Sequence, residues 1–262
     1  MRMIDVYLNE MDIVGGNILY DDFAKLYDNL IKQDINYDSI CDYIEEIFRR
    51  YKKTPSLICD LACGTGNITL PMSQRGYDMI GVDISDKMLS IAREKSQETH
   101  NDILYICQDL RKIDLFGTCD AFLCMTDGFN YITSLNSLKN IFKRIHNCFM
   151  NKGGLFIFDI SSEYKLRNIL GNNTYIYNTD DIFYSWENTY KPPVCKMELN
   201  FFIKEKIGYR HFEEMHIQRA YSINQIKQAL IDSGFSSVDV LGGYSFESPS
   251  EDEQRLVFVA MQ

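Results

Sequence analysis

Short apolar runs alternate with amphipathic stretches over most of the 262-residue chain. The apolar runs predict strands near residues 57–61, 79–83, 103–107, 120–125 and 154–160. Apolar residues at helical spacing predict helices over residues 67–75, 86–95 and 135–149. Strands that alternate with helices in this way build a doubly wound, mostly parallel sheet. The pattern therefore predicts an α/β fold.

The two ends of this alternating region have other patterns. Ile40, Ile44 and Ile47 lie on one face of an amphipathic helix that Thr54-Pro55 ends. Residues 174–221 alternate between apolar and polar at a period of two, which is typical of antiparallel strands with one face in water. A helix over 223–234 and two final strands complete the prediction.

Charge and composition exclude several classes of partner. The net charge is −10 and no Lys/Arg cluster exceeds a pair, which argues against nucleic-acid binding. No run has the ~20 apolar residues that a membrane span needs, and Asp5, Glu10 and Asp12 interrupt any signal-peptide pattern. The eight cysteines form no Cys-x-x-Cys pair and do not cluster with histidines, so neither a metal site nor a disulfide is indicated. Reduced thiols favour a cytoplasmic location.

The most informative segment is the turn after the first strand. Asp60 precedes a run of small residues that contains Gly64 and Gly66, and a helical pattern begins near Asn67. Such glycines allow a sharp turn that exposes backbone N–H groups to a polar ligand at a helix N-terminus. Because the acid comes first, the turn suits a ligand with a cationic amine better than a pyrophosphate.

A second acid, Asp83, ends the next strand and lies where an acidic side chain can bind a ribose hydroxyl pair. The dinucleotide fingerprint also needs a third Gly or Ala, and Thr69 stands in that place. A plain strand–turn–helix corner is the structural alternative. The glycine turn together with Asp83, and with Thr69 in place of a third glycine, favours an adenosine cofactor other than NAD.

The order Asp-x-x-x-Gly-x-Gly resembles motif I of the class I S-adenosylmethionine-dependent methyltransferases. Gln108-Asp109-Leu110, residues 120–125 and residues 152–159 resemble further segments of that family, although Lys152 replaces the common proline. The resemblance covers most of the chain. It is strongest for small-molecule methyltransferases with an antiparallel insertion after strand five, such as amino-sugar N-methyltransferases and related bacterial methyltransferases. Residues 210–216 are similar to one strand of that insertion.

The resemblance implies a Rossmann-like sheet with an antiparallel last strand and S-adenosylmethionine at the carboxyl ends of the strands. The implied cofactor-binding residues are Tyr20, Asp60, Ala62, Cys63, Gly64, Gly66, Asp83, Ile84, Met88, Asp109, Leu110 and Met125. Asp109 resembles the acid that binds the adenine amino group. Ile84 and Met88 are expected to flank the ring, although ordinary helix packing would explain Met88 equally well.

Polar residues after the fourth strand lie where methyl donor and acceptor should meet. The candidate substrate-binding residues are Tyr27, Asp127, Asn130, Tyr131 and Trp186. The candidate catalytic residues are His216, as a general base near neutral pH, and Tyr131. Asp127 and Asn130 could instead be cap and loop residues, and a strand histidine is often structural. His211, five residues from His216, should face the opposite side of its strand.

These assignments divide the chain into three parts: an N-terminal helical segment at 1–53, a cofactor-binding core at 54–173 and 222–262, and an insertion at 174–221 on the substrate side. The N-terminal segment is either a helical layer packed on the sheet or a lid over the cofactor. The predicted function is in-line methyl transfer from S-adenosylmethionine to a nitrogen or oxygen nucleophile of a small molecule, with no nucleic-acid or membrane partner. One alternative is a binding module that senses the cofactor without catalysis. Another is an NAD oxidoreductase, which Thr69 and Asp60 disfavour. The oligomeric state is not indicated.

Overall fold

The computed structural model describes residues 35–262, and these residues form two sheets. The strands are β1 (Leu57–Leu61), β2 (Asp78–Asp83), β3 (Leu104–Cys107), β4 (Cys119–Cys124), β5 (Met150–Ser161), β6 (Thr174–Asn178), β7 (Ile182–Lys191), β8 (Val194–Lys204), β9 (Tyr209–Arg219), β10 (Ser237–Gly242) and β11 (Arg255–Met261). The α-helices are α1 (Tyr37–Arg50), α2 (Thr69–Gln74), α3 (Asp86–Glu98), α4 (Leu135–Arg144) and α5 (Ile223–Ser233). Short helical turns cover Leu110–Lys112, Gly128–Tyr131, Ile145–Phe149 and Lys165–Leu170.

The larger sheet has seven strands in the order β10-β11-β5-β4-β1-β2-β3. Neighbours from β5 to β3 run parallel, whereas β11 is antiparallel to both β5 and β10. This confirms the predicted Rossmann-like sheet with an antiparallel last strand. The order reverses between β1 and β4, and ligands of such sheets bind at the carboxyl ends of the strands beside this reversal.

Apolar side chains on the two faces of this sheet pack against different helices. The buried face of α1, including Ile40, Ile44 and Ile47, covers one face. Helices α4 and α5 cover the other, where Phe129 meets Phe142 and Phe158 edge-on. Each large apolar side chain buried in this way contributes about 1.5–3 kcal/mol. The sheet is therefore a rigid support for the loops at its edge.

Most element boundaries lie within three residues of the predicted ones, and two differ by more. Helix α4 ends at Arg144, and the residues to Phe149 form a π-helical turn rather than more α-helix. Strand β5 begins at Met150 rather than at the predicted residue 154. The two glycines lie within the strand because the pairing of β5 with β4 shifts register there, and Gly153 takes a φ of +74°.

The smaller sheet has four antiparallel strands in the order β6-β7-β8-β9. It occupies the region where the period-two alternation predicts antiparallel strands, and Gly208 forms the last turn with a φ of +84°. Residues Leu166 and Leu170 belong to the apolar cluster on its inner face. His216 is buried while His211 is exposed and stacks on Phe202, as the strand alternation predicts.

Over residues 35–262, no helix combines the length and hydropathy that a membrane crossing requires.

Candidate active site

The turn after β1 is held against β2 by hydrogen bonds that its backbone N–H groups donate. The N–H of Cys63 donates to the carbonyl of Val82 at 3.0 Å, and the N–H of Gly64 donates to Oδ2 of Asp83 at 2.8 Å. Ala62, Gly64 and Gly66 all have positive φ, at 54°, 54° and 76°. Larger side chains are disfavoured in that conformation, which explains why this run contains only small residues.

Asp60 lies at the carboxyl end of β1 and is buried. The hydroxyl of Thr69 donates to its Oδ2 at 2.6 Å. Desolvation raises the pKa of Asp60 to about 7, and the charge of Asp83 acts in the same direction, while the Thr69 hydrogen bond opposes both. Thr69 stands where the dinucleotide fingerprint has its third Gly or Ala. Its hydroxyl holds the Asp60 carboxyl group, which neither Gly nor Ala could do.

Both oxygens of Asp83 accept backbone hydrogen bonds. Oδ2 accepts from Gly64 and Oδ1 accepts from the N–H of Ser85 at 2.9 Å. Ser85 also caps α3 by accepting from the N–H of Met88. Asp83 thus presents a carboxylate at the end of β2, and a carboxylate oxygen can accept more than one hydrogen bond.

Asp109 follows β3 and is paired with Arg111. The Nε of Arg111 lies 2.9 Å from each carboxylate oxygen, and Nη2 lies 2.7 Å from Oδ2. The Arg111 hydrogen bonds lower the pKa of Asp109. The carboxylate is thus ionised at neutral pH and can accept further hydrogen bonds.

These elements border a cavity of about 690 Å³. Seven of the residues predicted from the sequence line it: Ala62, Asp83, Ile84, Asp109, Leu110, Tyr131 and His216. Six further residues complete the lining: Arg111, Gly128, Ile132, Thr133, Met215 and Ile217. The larger sheet supplies one wall and strand β9 of the smaller sheet supplies the other, so the cavity lies between the two sheets.

Tyr131 and His216 meet across this cavity. The Tyr131 hydroxyl lies 3.3 Å from Nδ1 of His216, and the ring centroids are 5.9 Å apart. The neighbouring Asn130 donates from Nδ2 to the carbonyls of Ser161 at 3.0 Å and Arg219 at 2.9 Å. These bonds join the Gly128–Tyr131 turn to both sheets, so the role of Asn130 is structural.

Other predicted site residues do not line the cavity. Asp127 is fully buried; its Oδ2 accepts from Gln218 at 2.8 Å, and Arg255 approaches its Oδ1 at 3.3 Å. Trp186 lies in the core of the smaller sheet, beside Tyr175. Both positions favour structural roles. Four predicted cofactor-binding residues, Asp60, Cys63, Met88 and Met125, are buried outside the lining. Gly64 and Gly66 form the turn that carries Ala62 to the cavity. Tyr20 and Tyr27 lie outside the described residues.

The sequence analysis missed several residues with a part in this site. Lys95, on α3, donates from Nζ to Oδ1 of Asn67 at 2.9 Å and to the carbonyl of Thr65 at 3.0 Å, and so braces the turn after β1. Asp159 and Arg255 form a buried ion pair of 2.6 Å behind the loop that follows β4. An acid inside the apolar run of β5 was the available signal, because buried charges are almost always paired.

A family model described as a methyltransferase domain matches residues 58–154. The chain is 30% identical to a Geobacillus sp. (strain WCH70) protein named as a methyltransferase. The alignment spans 246 residues, which are 92% of this chain and 98% of that protein.

Two crystal structures share the fold. An S-adenosylmethionine-dependent methyltransferase from Clostridium acetobutylicum ATCC 824 has a TM-score of 0.86 at 33% identity, over 92% of this chain and 98% of that chain. A sugar N-methyltransferase from Streptoalloteichus sp. ATCC 53650 has a TM-score of 0.76 at 17% identity, over 98% of each chain. At that identity, the second likeness extends to the fold alone.

Proposed function

The chain belongs to the S-adenosylmethionine-dependent methyltransferases, and we propose that it methylates a nitrogen or oxygen atom of a small molecule. One observation carries the proposal: a single cavity of about 690 Å³ is lined by Asp83 and Asp109 and also by Tyr131 and His216. A cavity of this size matches the range of small-molecule sites. The sugar N-methyltransferase likeness agrees with an acceptor of that size.

The side chains at the strand ends fit the cofactor. S-adenosylmethionine presents hydrogen-bond donors in its ribose hydroxyls, its adenine amino group and its ammonium group. The carboxylates of Asp83, Asp109 and Asp60 are acceptors. We assign the ribose hydroxyls to Asp83, the adenine amino group to Asp109 and the ammonium group to the buried charge of Asp60. Ile84 and Leu110, which both line the cavity, would flank the adenine ring.

The bound cofactor supplies an electrophilic methyl group on a positively charged sulfur, which keeps the bonding electron pair as S-adenosylhomocysteine. The remaining task of the protein is to hold the acceptor lone pair in line with that methyl group, at about 3–3.5 Å. Tyr131 is placed to hydrogen-bond the acceptor. His216 contacts the Tyr131 hydroxyl and is placed to receive the proton that the acceptor loses. Histidine is the residue that most often takes this general-base role in enzymes.

Strand β9 supports the assignment of residues 174–221 to the acceptor side. It supplies Met215, His216 and Ile217 to the cavity wall, while the cofactor candidates come from the larger sheet. We propose that a lid over this cavity comes from the part of residues 1–53 that precedes α1, because α1 itself packs on a face of the larger sheet and does not line the cavity. A cytoplasmic location is also proposed, because thiols such as those of Cys59 and Cys124 are buried as small apolar groups in the core.

The test is a screen of acceptors that measures S-adenosylhomocysteine release and a methylated product by mass. The panel should contain amino sugars, aliphatic amines, phenols and alcohols, together with a protein extract and total RNA. We expect release with a low-molecular-weight amine or hydroxyl compound. Release with protein or RNA alone would overturn the small-molecule acceptor while leaving the family assignment intact.

A further inference from the structure

The loop after β4 contains two consecutive residues in the left-handed conformation. Thr126 has a φ of 61° and Asp127 a φ of 59°, and neither is glycine. Side-chain crowding makes this conformation unfavourable for such residues, so it persists only where the surroundings hold it in place. The pair therefore needs a partner that compensates for the strain.

Asp159, on the neighbouring strand β5, is that partner. Its Oδ2 accepts the N–H of Thr126 at 2.8 Å, and its Oδ1 accepts the N–H of Asp127 at 2.6 Å. One carboxylate thus takes a hydrogen bond from each strained residue. Both bonds are short, as expected for a charged acceptor.

Groups from other elements keep this carboxylate in place. Arg255 of β11 donates from Nη1 to Oδ1 at 2.6 Å, and the hydroxyl of Tyr244 donates to Oδ2 at 2.6 Å. The buried Lys165 adds a positive charge nearby, while Asp127 adds a negative one. Burial raises the pKa of Asp159 to about 6, so the carboxylate is still charged at neutral pH.

The strained pair leads directly into the Gly128–Tyr131 turn, which lines the cavity at both ends. At Gly128 a Cβ would lie 2.9 Å from the Cβ of Ala62, so this turn lies directly against the turn after β1. At the other end, Tyr131 contacts His216. A small rotation at residues 126–127 would therefore move Tyr131 relative to both.

We infer that Asp159 is a positioning residue for methyl transfer. Its carboxylate holds the left-handed Thr126–Asp127 pair and so fixes where Tyr131 meets His216, an effect on catalysis that rests on the proposed function. Asp159 itself does not line the cavity. Its effect on catalysis is indirect, through the backbone.

The test compares Asp159→Asn with Asp120→Asn. The first change keeps the shape of the side chain but sets an NH₂ donor against a backbone donor. The second is a matched control, because Oδ2 of Asp120 also accepts two successive backbone N–H groups, from Ser56 at 2.9 Å and Leu57 at 3.1 Å. Asp120 lies at the amino end of β4, at the opposite edge of the sheet from the cavity.

Three readouts separate positioning from general damage. Hydrogen exchange at the amides of residues 126 and 127 should become at least about tenfold faster in Asp159→Asn. The imidazole NMR signal of His216, one of four histidines, should shift. The Kd for S-adenosylhomocysteine should stay within about threefold, while acceptor turnover falls by about 10- to 100-fold. The control should match wild type in all readouts that report on the cavity.

Unchanged exchange and an unchanged His216 signal in Asp159→Asn would overturn the inference. So would losses of turnover and of S-adenosylhomocysteine affinity that are equal. Exchange and the NMR signal need no acceptor, so a failed acceptor screen would affect the proposed function but not this result. If Asp159→Asn does not fold, Tyr244→Phe, which removes one donor and keeps the carboxylate, should show a smaller change in the same exchange and NMR readouts. Wild-type behaviour of that variant would then count against the inference.

Discussion

The hydroxyl of Tyr131 lies 3.3 Å from Nδ1 of His216, although the two residues are 85 positions apart in the chain. Tyr131 ends the turn that follows β4 of the larger sheet, and His216 lies in β9 of the smaller one. Each sheet therefore contributes one of the two groups that we propose to face the acceptor. The contact is also where the proposed proton transfer would start.

Replacing His216 by Gln should lower acceptor turnover by about 10²–10⁴-fold, the usual contribution of a general base. The affinity for S-adenosylhomocysteine should change little, because the proposed cofactor contacts come from the larger sheet. Tyr131→Phe removes the hydroxyl that meets Nδ1 and should lower turnover in the same direction. Steady-state kinetics and calorimetric titration on the same preparations give both quantities.

His211→Gln is the matched control for this prediction. His211 lies in the same strand but faces the other side, where it stacks on Phe202 at 4.4 Å between ring centroids. We expect wild-type turnover from this variant. Equal losses of turnover and ligand affinity in His216→Gln would show that His216 supports the fold of the pocket rather than the chemistry.

Asp83→Ala should weaken the binding of S-adenosylhomocysteine by about 1–3 kcal/mol, which is the cost of losing hydrogen bonds to a charged acceptor. Part of that loss will come from the Gly64 N–H, which would no longer be held at 2.8 Å. Calorimetric titration measures the change. Asp78→Ala, at the exposed first position of the same strand, is the control and should bind normally. Normal binding by Asp83→Ala would place the cofactor elsewhere.

The larger sheet could be predicted from the sequence because its signals are local. Each strand is a short apolar run, and each run ends in a turn or an acid that marks the carboxyl edge. Strand β9 also contributes to the cavity through His216, which the sequence suggested only by resemblance. The sequence did not predict Met215 and Ile217 as cavity-lining residues, because no local pattern indicates that β9 will lie beside the larger sheet.

Long-range partners were the other part that the sequence could not supply. Asp159 appears in the sequence as one acid within an apolar strand, and Arg255 begins a strand 96 residues later. Their 2.6 Å contact depends on β11 pairing with β5, a choice made by the whole fold. Thr69 is a similar case: its departure from the dinucleotide pattern was visible, whereas its hydrogen bond to Asp60 was not.

Gly128→Ala should destabilise the fold by about 1–3 kcal/mol, the usual cost of overpacking. An added Cβ would lie 2.9 Å from both the Cβ of Ala62 and Sγ of Cys124, so either the Gly128–Tyr131 turn or the turn after β1 must shift. Urea unfolding measures the free-energy change, and the ligand titration should show weaker binding in the same variant. Gly117→Ala is the control, since a Cβ there would meet nothing within 4 Å. Equal stabilities of the two variants would mean that the turn has room to move.

Binding of S-adenosylhomocysteine should tighten as the pH rises from about 5.5 to 7, by up to about tenfold per pH unit. The reason is that burial raises the pKa of Asp60 to about 7 in the absence of ligand, whereas the ammonium group of the ligand favours the ionised form. Binding below pH 7 should therefore release a proton. Calorimetry in buffers of different ionisation enthalpy measures that release, and Asp60→Asn should abolish it.

The same titration has the opposite sign for the stability of the ligand-free chain. Because the folded pKa of Asp60 lies above the value of about 3.9 for an unfolded aspartate, the folded state binds more protons, and this residue lowers stability as the pH rises from about 4 to 7. Asp60→Asn should accordingly raise the melting temperature of the ligand-free chain at pH 8 relative to wild type, while it weakens ligand binding at that pH. Thr69→Ser, which keeps the hydroxyl donor to Oδ2, should leave both pH profiles close to wild type. An Asp60→Asn chain that is less stable than wild type at pH 8 would show that other groups hold the carboxylate in its charged form. If that variant also binds with the wild-type pH profile, the ammonium group binds elsewhere.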